Sequence, residues 1–307
     1  MRKDDASCSK PYVGRFAPSP TGPLHFGSMV AAVASYLDAR SQGGRWHLRI
    51  EDVDRTRAVA GAAEDIQRTL EAFALTWDGP VIRQSANDEL YQAALERLIR
   101  NDRAFPCGCT RKEVIAAGRR GPAGVIYPGT CRDGLPADKH ARSWRFRVPR
   151  LGVSFEDGLR GPVTVDVAES IGDFIVRRAD NLFAYHLAMV VDDAALGVTD
   201  VVRGGDLLDS TAPQIVLLDA LGEPVPRYLH LPVAVNAEGT KLSKQTGAPA
   251  IRAERAADVL NDVLSFLGHR PPAELLGAPP RVQLEWALEQ WDRNSLPRDE
   301  VIRAPAE

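Results

Sequence analysis

The sequence predicts an α/β fold built on a parallel sheet, split by a cysteine-bearing insertion and followed by a short helical region. Three observations carry this expectation. The chain opens as strand, loop, helix, strand, the βαβ unit from which parallel sheets are made. After residues 106–140 lose periodicity and 143–175 turn β-rich, the alternation of strand and helix resumes near Phe174. The last stretch, 250–307, reads as helices broken by prolines. The expected boundaries are a tail over 1–11, an α/β body over 12–106 and 172–238, an insertion over 107–171, and a loop with C-terminal helices over 239–307.

Each element has a local reason. Tyr12–Ala17 is a short apolar strand that runs into Pro18-Ser-Pro-Thr-Gly-Pro23, where the prolines forbid a helix before Leu24. Phe26, Met29, Val30, Val33 and Leu37 then recur at helical spacing until Gly43-Gly44 closes the segment, and Trp46–Glu51 is a second strand. Helical patterns cover 58–76 and 87–101. In the latter, Leu90, Tyr91, Ala94, Leu95, Leu98 and Ile99 form one face behind Asn87, a residue suited to an N-cap. Within the insertion, Trp144, Phe146 and Val148 alternate with Arg145 and Arg147, and Asp157-Gly158 signals a turn. Val198–Val202 is a strand ending in Arg203-Gly-Gly-Asp206, 209–221 is helical, and Tyr228–Val235 is a further strand. The turn Asn236-Ala-Glu-Gly239 leads into Thr240-Lys-Leu-Ser-Lys244.

Composition narrows the classes. A chain of 307 residues suggests about two domains, and 44% apolar with 26% charged residues suits a soluble enzyme with a substantial core. A net charge of −3 excludes a polycation that binds nucleic acid by charge alone. No apolar run approaches ~18 residues, so no membrane span is expected. The opening MRKDDASCSK lacks the apolar stretch of a signal peptide, which makes the cytoplasm the expected compartment. Four cysteines are too few to staple this chain. Cys8 lies alone in the polar tail, whereas Cys107, Cys109 and Cys131 in the Gly/Pro-rich insertion read as metal ligands. A structural zinc ion wants a fourth ligand, for which Tyr127, Asp133 and His140 are candidates, and ligand chemistry alone favours His140.

Two segments carry phosphate chemistry. Arg15-Phe-Ala-Pro-Ser-Pro-Thr-Gly-Pro-Leu-His-Phe-Gly27 takes a strand through a constrained loop into a helix that begins near His25. A helix N-terminus offers N–H groups and partial positive charge to phosphate. Gly27 lets a nucleotide or backbone come close, and His25 can donate to a phosphate oxygen. Lys241-Leu-Ser-Lys244 follows a glycine turn, and its lysines can hold a triphosphate and follow its charge into a transition state. Either segment alone is an ordinary loop. Together, in this order around an α/β core, they point to a nucleotide site.

The run PSPTGPLHFG resembles the HIGH motif of class I aminoacyl-tRNA synthetases, in their glutamyl/glutaminyl branch, and KLSK resembles the KMSKS loop of the same family. Arg49-Ile-Glu-Asp-Val-Asp-Arg55, Tyr185-His186 and Val191-Asp-Asp193 are similar to that branch as well, and the resemblance spans roughly residues 12–246. Only 63 residues follow Lys244, so no anticodon-binding domain is expected. The chain therefore looks like the truncated relatives, the glutamyl-queuosine tRNA(Asp) synthetases. Arg203-Gly-Gly-Asp-Leu-Leu-Asp-Ser-Thr211 and the Cys-Gly-Cys pair with a later Tyr and Cys resemble runs of that family.

The resemblance implies a Rossmann-like catalytic domain and a ligase. L-glutamate would attack the α-phosphate of ATP, with magnesium neutralising the phosphates, to give glutamyl-adenylate and pyrophosphate. The acyl group would then pass to the queuosine base in the anticodon of tRNA(Asp). The alternative is a short glutamyl-tRNA synthetase that charges the 3′ end of a tRNA. By the resemblance, His25 and Lys244 are catalytic, with Gly27 and Lys241 beside them at ATP. Arg15, Tyr185 and Arg203 hold the glutamate side chain, and Glu51, with Ser19 nearby, holds its ammonium. Arginine suits the first task because its fork can pair both carboxylate oxygens. The resemblance also selects Tyr127, with Cys107, Cys109 and Cys131, as ligands of one structural zinc ion, and a monomer is expected. His47, His140, His186 and His230 are expected to pack or face solvent, with His186 nearest the pocket. The tryptophans are expected in the core, although Trp144 among its arginines could stack on RNA.

Overall fold

β1 (Val13–Phe16) and β2 (Arg45–Ile50) pair in parallel, with Val13 opposite Arg45 and Phe16 opposite Leu48, and α1 (Phe26–Ser41) crosses between them. This is the βαβ unit expected from the sequence, seen in a computed structural model that describes residues 11–122, 124–242 and 249–305. Met29, Val30, Ala32, Val33, Ala34, Leu37 and Ala39 of α1 are all buried, so the helix is enclosed on most sides. α2 (Ala62–Ala72) then leads to β3 (Ile82–Arg83), which pairs in parallel with β2. α3 (Asp88–Arg100) completes the first half. α2 is shorter than the 58–76 pattern because Gly61 takes a left-handed φ of 77° at its start. Asn87 occupies the N-cap position of α3 without capping it; its Nδ2 instead donates to Asp192 Oδ1 at 2.8 Å.

Residues 104–177 fold as β4 (Ala104–Cys107), α4 (Arg111–Ala117), β5 (Arg119–Gly121), β6 (Gly124–Ile126), β7 (Ser143–Phe146), β8 (Gly152–Asp157), β9 (Gly161–Asp166), α5 (Val167–Ser170) and β10 (Ile175–Arg177), so the aperiodic stretch 106–140 holds a short helix, started by a Thr110–Glu113 capping box, and a small hairpin. β7 lies between β4 and β10 in an antiparallel sheet. Trp144 of β7 packs against an apolar cluster, while Arg145 and Arg147 lie over the rings of Tyr127 and Phe105 at 3.8 and 5.1 Å.

α6 (Tyr185–Ala195) precedes β11 (Asp200–Gly204), α7 (Thr211–Ala220) and β12 (Arg227–Leu231), and β11 pairs in parallel with β12. β1 lies against β11: Thr199 N donates to Val13 O, and Val13 N donates to Thr199 Oγ1, both at 2.9 Å. The parallel strands thus run in the order β3-β2-β1-β11-β12, and the connections diverge on either side of the β1–β11 boundary. In open α/β sheets, ligands occupy the crevice beyond the carboxyl ends of the strands at such a switch point. The hairpin of β8 and β9 extends the same sheet, since Asp157 pairs with Tyr228 of β12.

The expected strand Tyr228–Val235 is broken at Pro232, which lacks a ladder donor, and continues as β13 (Val233–Val235). α8 (Ala256–Phe266) and α9 (Pro280–Gln290) follow. The segment read as purely helical also holds β14 (Val301–Arg303), which pairs in parallel with β13. Arg293 clasps the buried Asp38 of α1 at 2.6 and 2.7 Å, and Tyr12 and Trp291 donate to the same carboxylate. That contact fastens the C-terminal region to the core. Among the described residues, no helix is long and apolar enough to cross a membrane.

Candidate active site

A cleft of about 370 Å³ opens at the carboxyl ends of β1 and β11. Arg15, Ser19, His25, Gly27, Glu51, Tyr185, Arg203 and Lys241 all line it, so eight residues singled out from separate stretches of sequence meet in one space. Lys244 and Cys8 lie outside the described residues.

The helix end comes first. His25 is the N-cap of α1, and its Nδ1 accepts from Ser28 N at 3.3 Å. A neutral ring that accepts at Nδ1 carries its proton on Nε2, which makes Nε2 the donor. The first turn of α1 holds no acidic residue to offset its positive end. A Cβ on Gly27 would lie 3.3 Å from His25 Cε1 and 3.7 Å from Leu242 O, so glycine lets the ring and the lysine-bearing loop close over the helix end. Lys241 Nζ pairs with Asp206 Oδ2 at 2.6 Å across the same mouth.

Deeper in the cleft lies a buried charge network. Arg15 Nε donates to Asp193 Oδ1 at 3.2 Å, and Arg49 Nη1 donates to the same oxygen at 2.5 Å. The two guanidinium groups hold Asp193 below the usual carboxylate range although burial alone would raise it. Glu51 is also nearly buried, and the ion pair it makes among the described residues, with Arg49 Nη2, is long at 3.4 Å, with the charge of Arg15 adding to it. Burial outweighs that contact and pushes its pKa up. A buried carboxylate in that position favours a second cation. Burial and the charge of Glu51 likewise push Tyr185 up to about 12, so its hydroxyl stays protonated.

Arg203 sits opposite, 5% exposed, held on every side. Nε donates to His230 Nε2 at 3.0 Å, Nη1 to Gln214 Oε1 at 2.9 Å, and Nη2 to Thr211 Oγ1 at 2.8 Å and Leu207 O at 3.3 Å. Among the described residues these partners engage four of its five N–H groups, and one Nη1–H remains for a ligand. Arg15 spends Nε and Nη2 on Asp193.

The sequence reading gave no role to Arg49, Asp193, Thr211, Gln214 or His230. Arg49 and Asp193 lie inside runs that resemble the family, and the signal available was a charge among apolar residues, Arg49 in β2 and Asp193 in α6. His230 is buried as expected of a packed histidine, but its contact is to a cleft arginine. His186 does not line the cleft; its ring packs against Phe174 at 5.4 Å, and burial with the nearby Arg203 charge pushes its pKa down to about 4.

A second cluster lies between β4 and β7. Cys107, Cys109 and Cys131 offer sulfurs within 4.8 Å of one another. The Tyr127 hydroxyl lies 3.4 Å from Cys107 Sγ and 3.6 Å from Cys109 Sγ, and accepts from Cys131 N at 2.8 Å. Burial raises the Cys107 thiol, but Tyr127 and Arg145 outweigh it and bring it to about 7. Three thiols and a phenol oxygen around one point fit a four-coordinate metal ion. His140 and Asp133 are not part of the group; Asp133 instead faces Arg147 at 4.0 Å.

Residues 12–267 match the family described as class I tRNA synthetases (E and Q), catalytic domain. The glutamyl-Q tRNA(Asp) synthetase of Thiobacillus denitrificans is 53% identical over 295 residues, covering 96% of this chain and 98% of the relative. That of Chromobacterium violaceum is 54% identical, covering 93% and 95%. Among solved structures, the glutamate-tRNA synthetase of Elizabethkingia anophelis superposes with a TM-score of 0.80 at 27% identity, over 97% of this chain and 68% of that one. A cleft at the switch point of a parallel sheet, identity above half over nearly the whole chain, and a matching catalytic-domain family agree: the chain belongs to the glutamyl-Q tRNA(Asp) synthetases, within the class I tRNA synthetases of the E and Q group.

Proposed function

We propose that the protein uses ATP to activate L-glutamate as glutamyl-adenylate and transfers the glutamyl group to the queuosine base in the anticodon of tRNA(Asp). The observation that carries this reading is the meeting, in one cleft, of a cationic wall (Arg15 and Arg203), an under-neutralised carboxylate (Glu51) and a histidine-capped helix end. These match the side-chain carboxylate, the ammonium and the nucleotide phosphates in turn.

Glutamate lies with its side-chain carboxylate between Arg15 and Arg203. Because Arg203 keeps a single N–H for a ligand, the carboxylate is shared by the two arginines and is not gripped by one fork. Its ammonium faces Glu51, beside Ser19, and Tyr185 closes the pocket. In the first step an oxygen of the α-carboxylate attacks the α-phosphorus while the bond to pyrophosphate breaks. The demand is orientation and stabilisation of charge on phosphate. His25 Nε2–H and the end of α1 meet the α-phosphate across Gly27. Lys241 and Lys244 follow the leaving pyrophosphate, and magnesium accompanies ATP. In the second step a queuosine hydroxyl attacks the acyl carbon and AMP leaves. The two relatives named for this reaction, at 53% and 54% identity, support the acceptor.

Zinc suits the cysteine cluster, with Cys107, Cys109, Cys131 and Tyr127 as ligands. It would brace a Gly/Pro-rich insertion whose own core is small. The deciding experiment labels tRNA pools with and without queuosine using ¹⁴C-glutamate. Label is expected in tRNA(Asp) only when queuosine is present. Label in tRNA(Glu), or none without a 3′-terminal ribose, would overturn the acceptor assignment.

A further inference from the structure

We infer that His230 and Asp157 are positioning residues for glutamate recognition: a carboxylate on the inserted hairpin fixes the tautomer of a buried imidazole, which in turn aims the guanidinium of Arg203. The inference rests on the reading of Arg203 as a ligand of the glutamate side chain.

The geometry leaves one proton arrangement. Arg203 Nε–H can only donate, so His230 Nε2 at 3.0 Å must accept. Thr211 Oγ1, 3.2 Å from the same nitrogen, accepts from Arg203 Nη2 and so holds the guanidinium beside the ring. The proton of the neutral ring is then on Nδ1, where it donates to Asp157 Oδ2 at 2.6 Å. Both His230 and Asp157 are essentially fully buried, so no water competes for either nitrogen. The other oxygen of Asp157 accepts from the backbone N–H of Leu159 and Arg160 at 3.1 and 2.9 Å. This oxygen therefore builds the turn between β8 and β9, while its twin orients the ring. The ring stacks on Tyr228, and the Arg203 guanidinium lies over the same tyrosine ring at 5.5 Å. A carboxylate–imidazole pair that holds a functional group in one orientation is the logic by which outer contacts tune an inner ligand.

Asp157→Asn tests the chain of contacts. Its carbonyl oxygen can serve the turn, which leaves the NH₂ facing Nδ1. The imidazole must then protonate Nε2, against the N–H of Arg203. Histidine ¹⁵N spectra of the full-length protein read the tautomer, and glutamate-dependent pyrophosphate exchange reads KM for glutamate and for ATP. Wild type should show the Nδ1–H form and the variant the Nε2–H form. Glutamate KM should rise about tenfold or more while ATP KM stays within about twofold. Should the variant not fold, His230→Asn carries the same test: its NH₂ keeps the bond to Asp157 but no acceptor reaches Arg203, and the same split in KM is expected. Arg203→Leu is measured alongside. If it raises glutamate KM while the other variants do not, or if tautomer and KM fail to change together in Asp157→Asn, the inference is wrong and the pocket stands. If Arg203→Leu leaves glutamate KM unchanged, both are wrong.

Discussion

Replacing Glu51 with Gln should weaken glutamate binding and leave the empty protein at least as stable, and the opposed signs make the test sharp. The side chain is about one-tenth exposed, and its cationic neighbour, Arg49 Nη2, is 3.4 Å away. Arg49 has a closer partner in Asp193 at 2.5 Å and a further one in Asp192 at 3.9 Å, so it stays neutralised without Glu51. An ammonium about 3 Å from a carboxylate interacts by about 5 kcal/mol at an effective dielectric near 20. Truncating one member of a buried charge pair costs about 2–5 kcal/mol in practice. The cleft is open to solvent, so the lower half of that range applies, and the glutamate dissociation constant should rise roughly 30- to 300-fold. ATP affinity should be unchanged. The stability effect has the other sign. Burial raises the pKa of Glu51, so between its unfolded and folded values the native state binds more protons than the unfolded one. Stability then falls as pH rises through that window, and the deficit persists at pH 7. Gln lacks the charge and removes the deficit, so the variant should melt at the same or a higher temperature at pH 7, with the difference vanishing near pH 4. Calorimetric titration with glutamate and melts at both pH values provide the readout. A variant that binds glutamate within twofold of wild type but melts several degrees lower would show that Glu51 serves Arg49 and not the substrate.

Four further outcomes follow, three from contacts in the structure and one, for Lys244, from the resemblance of its loop to the KMSKS motif. His25→Asn keeps a side-chain acceptor for Ser28 N, so stability should hold within about 0.5 kcal/mol, while adenylate formation falls roughly 10²-fold; pyrophosphate exchange near wild type would reduce His25 to a cap. Lys244→Ala should lose roughly 10²-fold or more in the same assay. Tyr127→Phe removes the oxygen shared by the thiols, and zinc affinity measured against a chromophoric chelator should fall at least about tenfold; unchanged affinity would remove Tyr127 from the ligand set. Asp38→Asn strips the carboxylate from Tyr12, Trp291 and Arg293 and should cost about 2–3 kcal/mol, reduced because Arg293 is partly exposed, or roughly 4–10 °C in Tm, with glutamate KM unchanged.

What could be read without coordinates was what short stretches of chain decide for themselves. The spacing of Met29, Val30, Val33 and Leu37 made a helix, the prolines from 18 to 23 delayed its start to His25, and the Val198–Val202 run marked a strand that forms two residues later, over Asp200–Gly204, with Arg203 inside it. Residue chemistry in those runs marked phosphate, carboxylate and thiol sites before any of them had a place in space. Short elements such as Ile82–Arg83 and Arg111–Ala117 escaped, and two others show why. The Tyr185–Ala195 helix has apolar residues on several faces because it is enclosed, which blurs its period, and Val301–Arg303 is a strand only because β13 is there to pair with it.

The sequence by itself determined the ingredients: a strand–loop–helix whose helix starts at a histidine cap, arginines in two strands, and a pair of cysteines with one residue between them. Tertiary structure alone decided their partners, bringing Asp193 to Arg15 across 178 positions and Asp157 to His230 across 73. Those pairings depend on which strands lie side by side and in what register, and sheet order is fixed by the burial of the whole core, a sum over many distant contacts that no local window of residues contains.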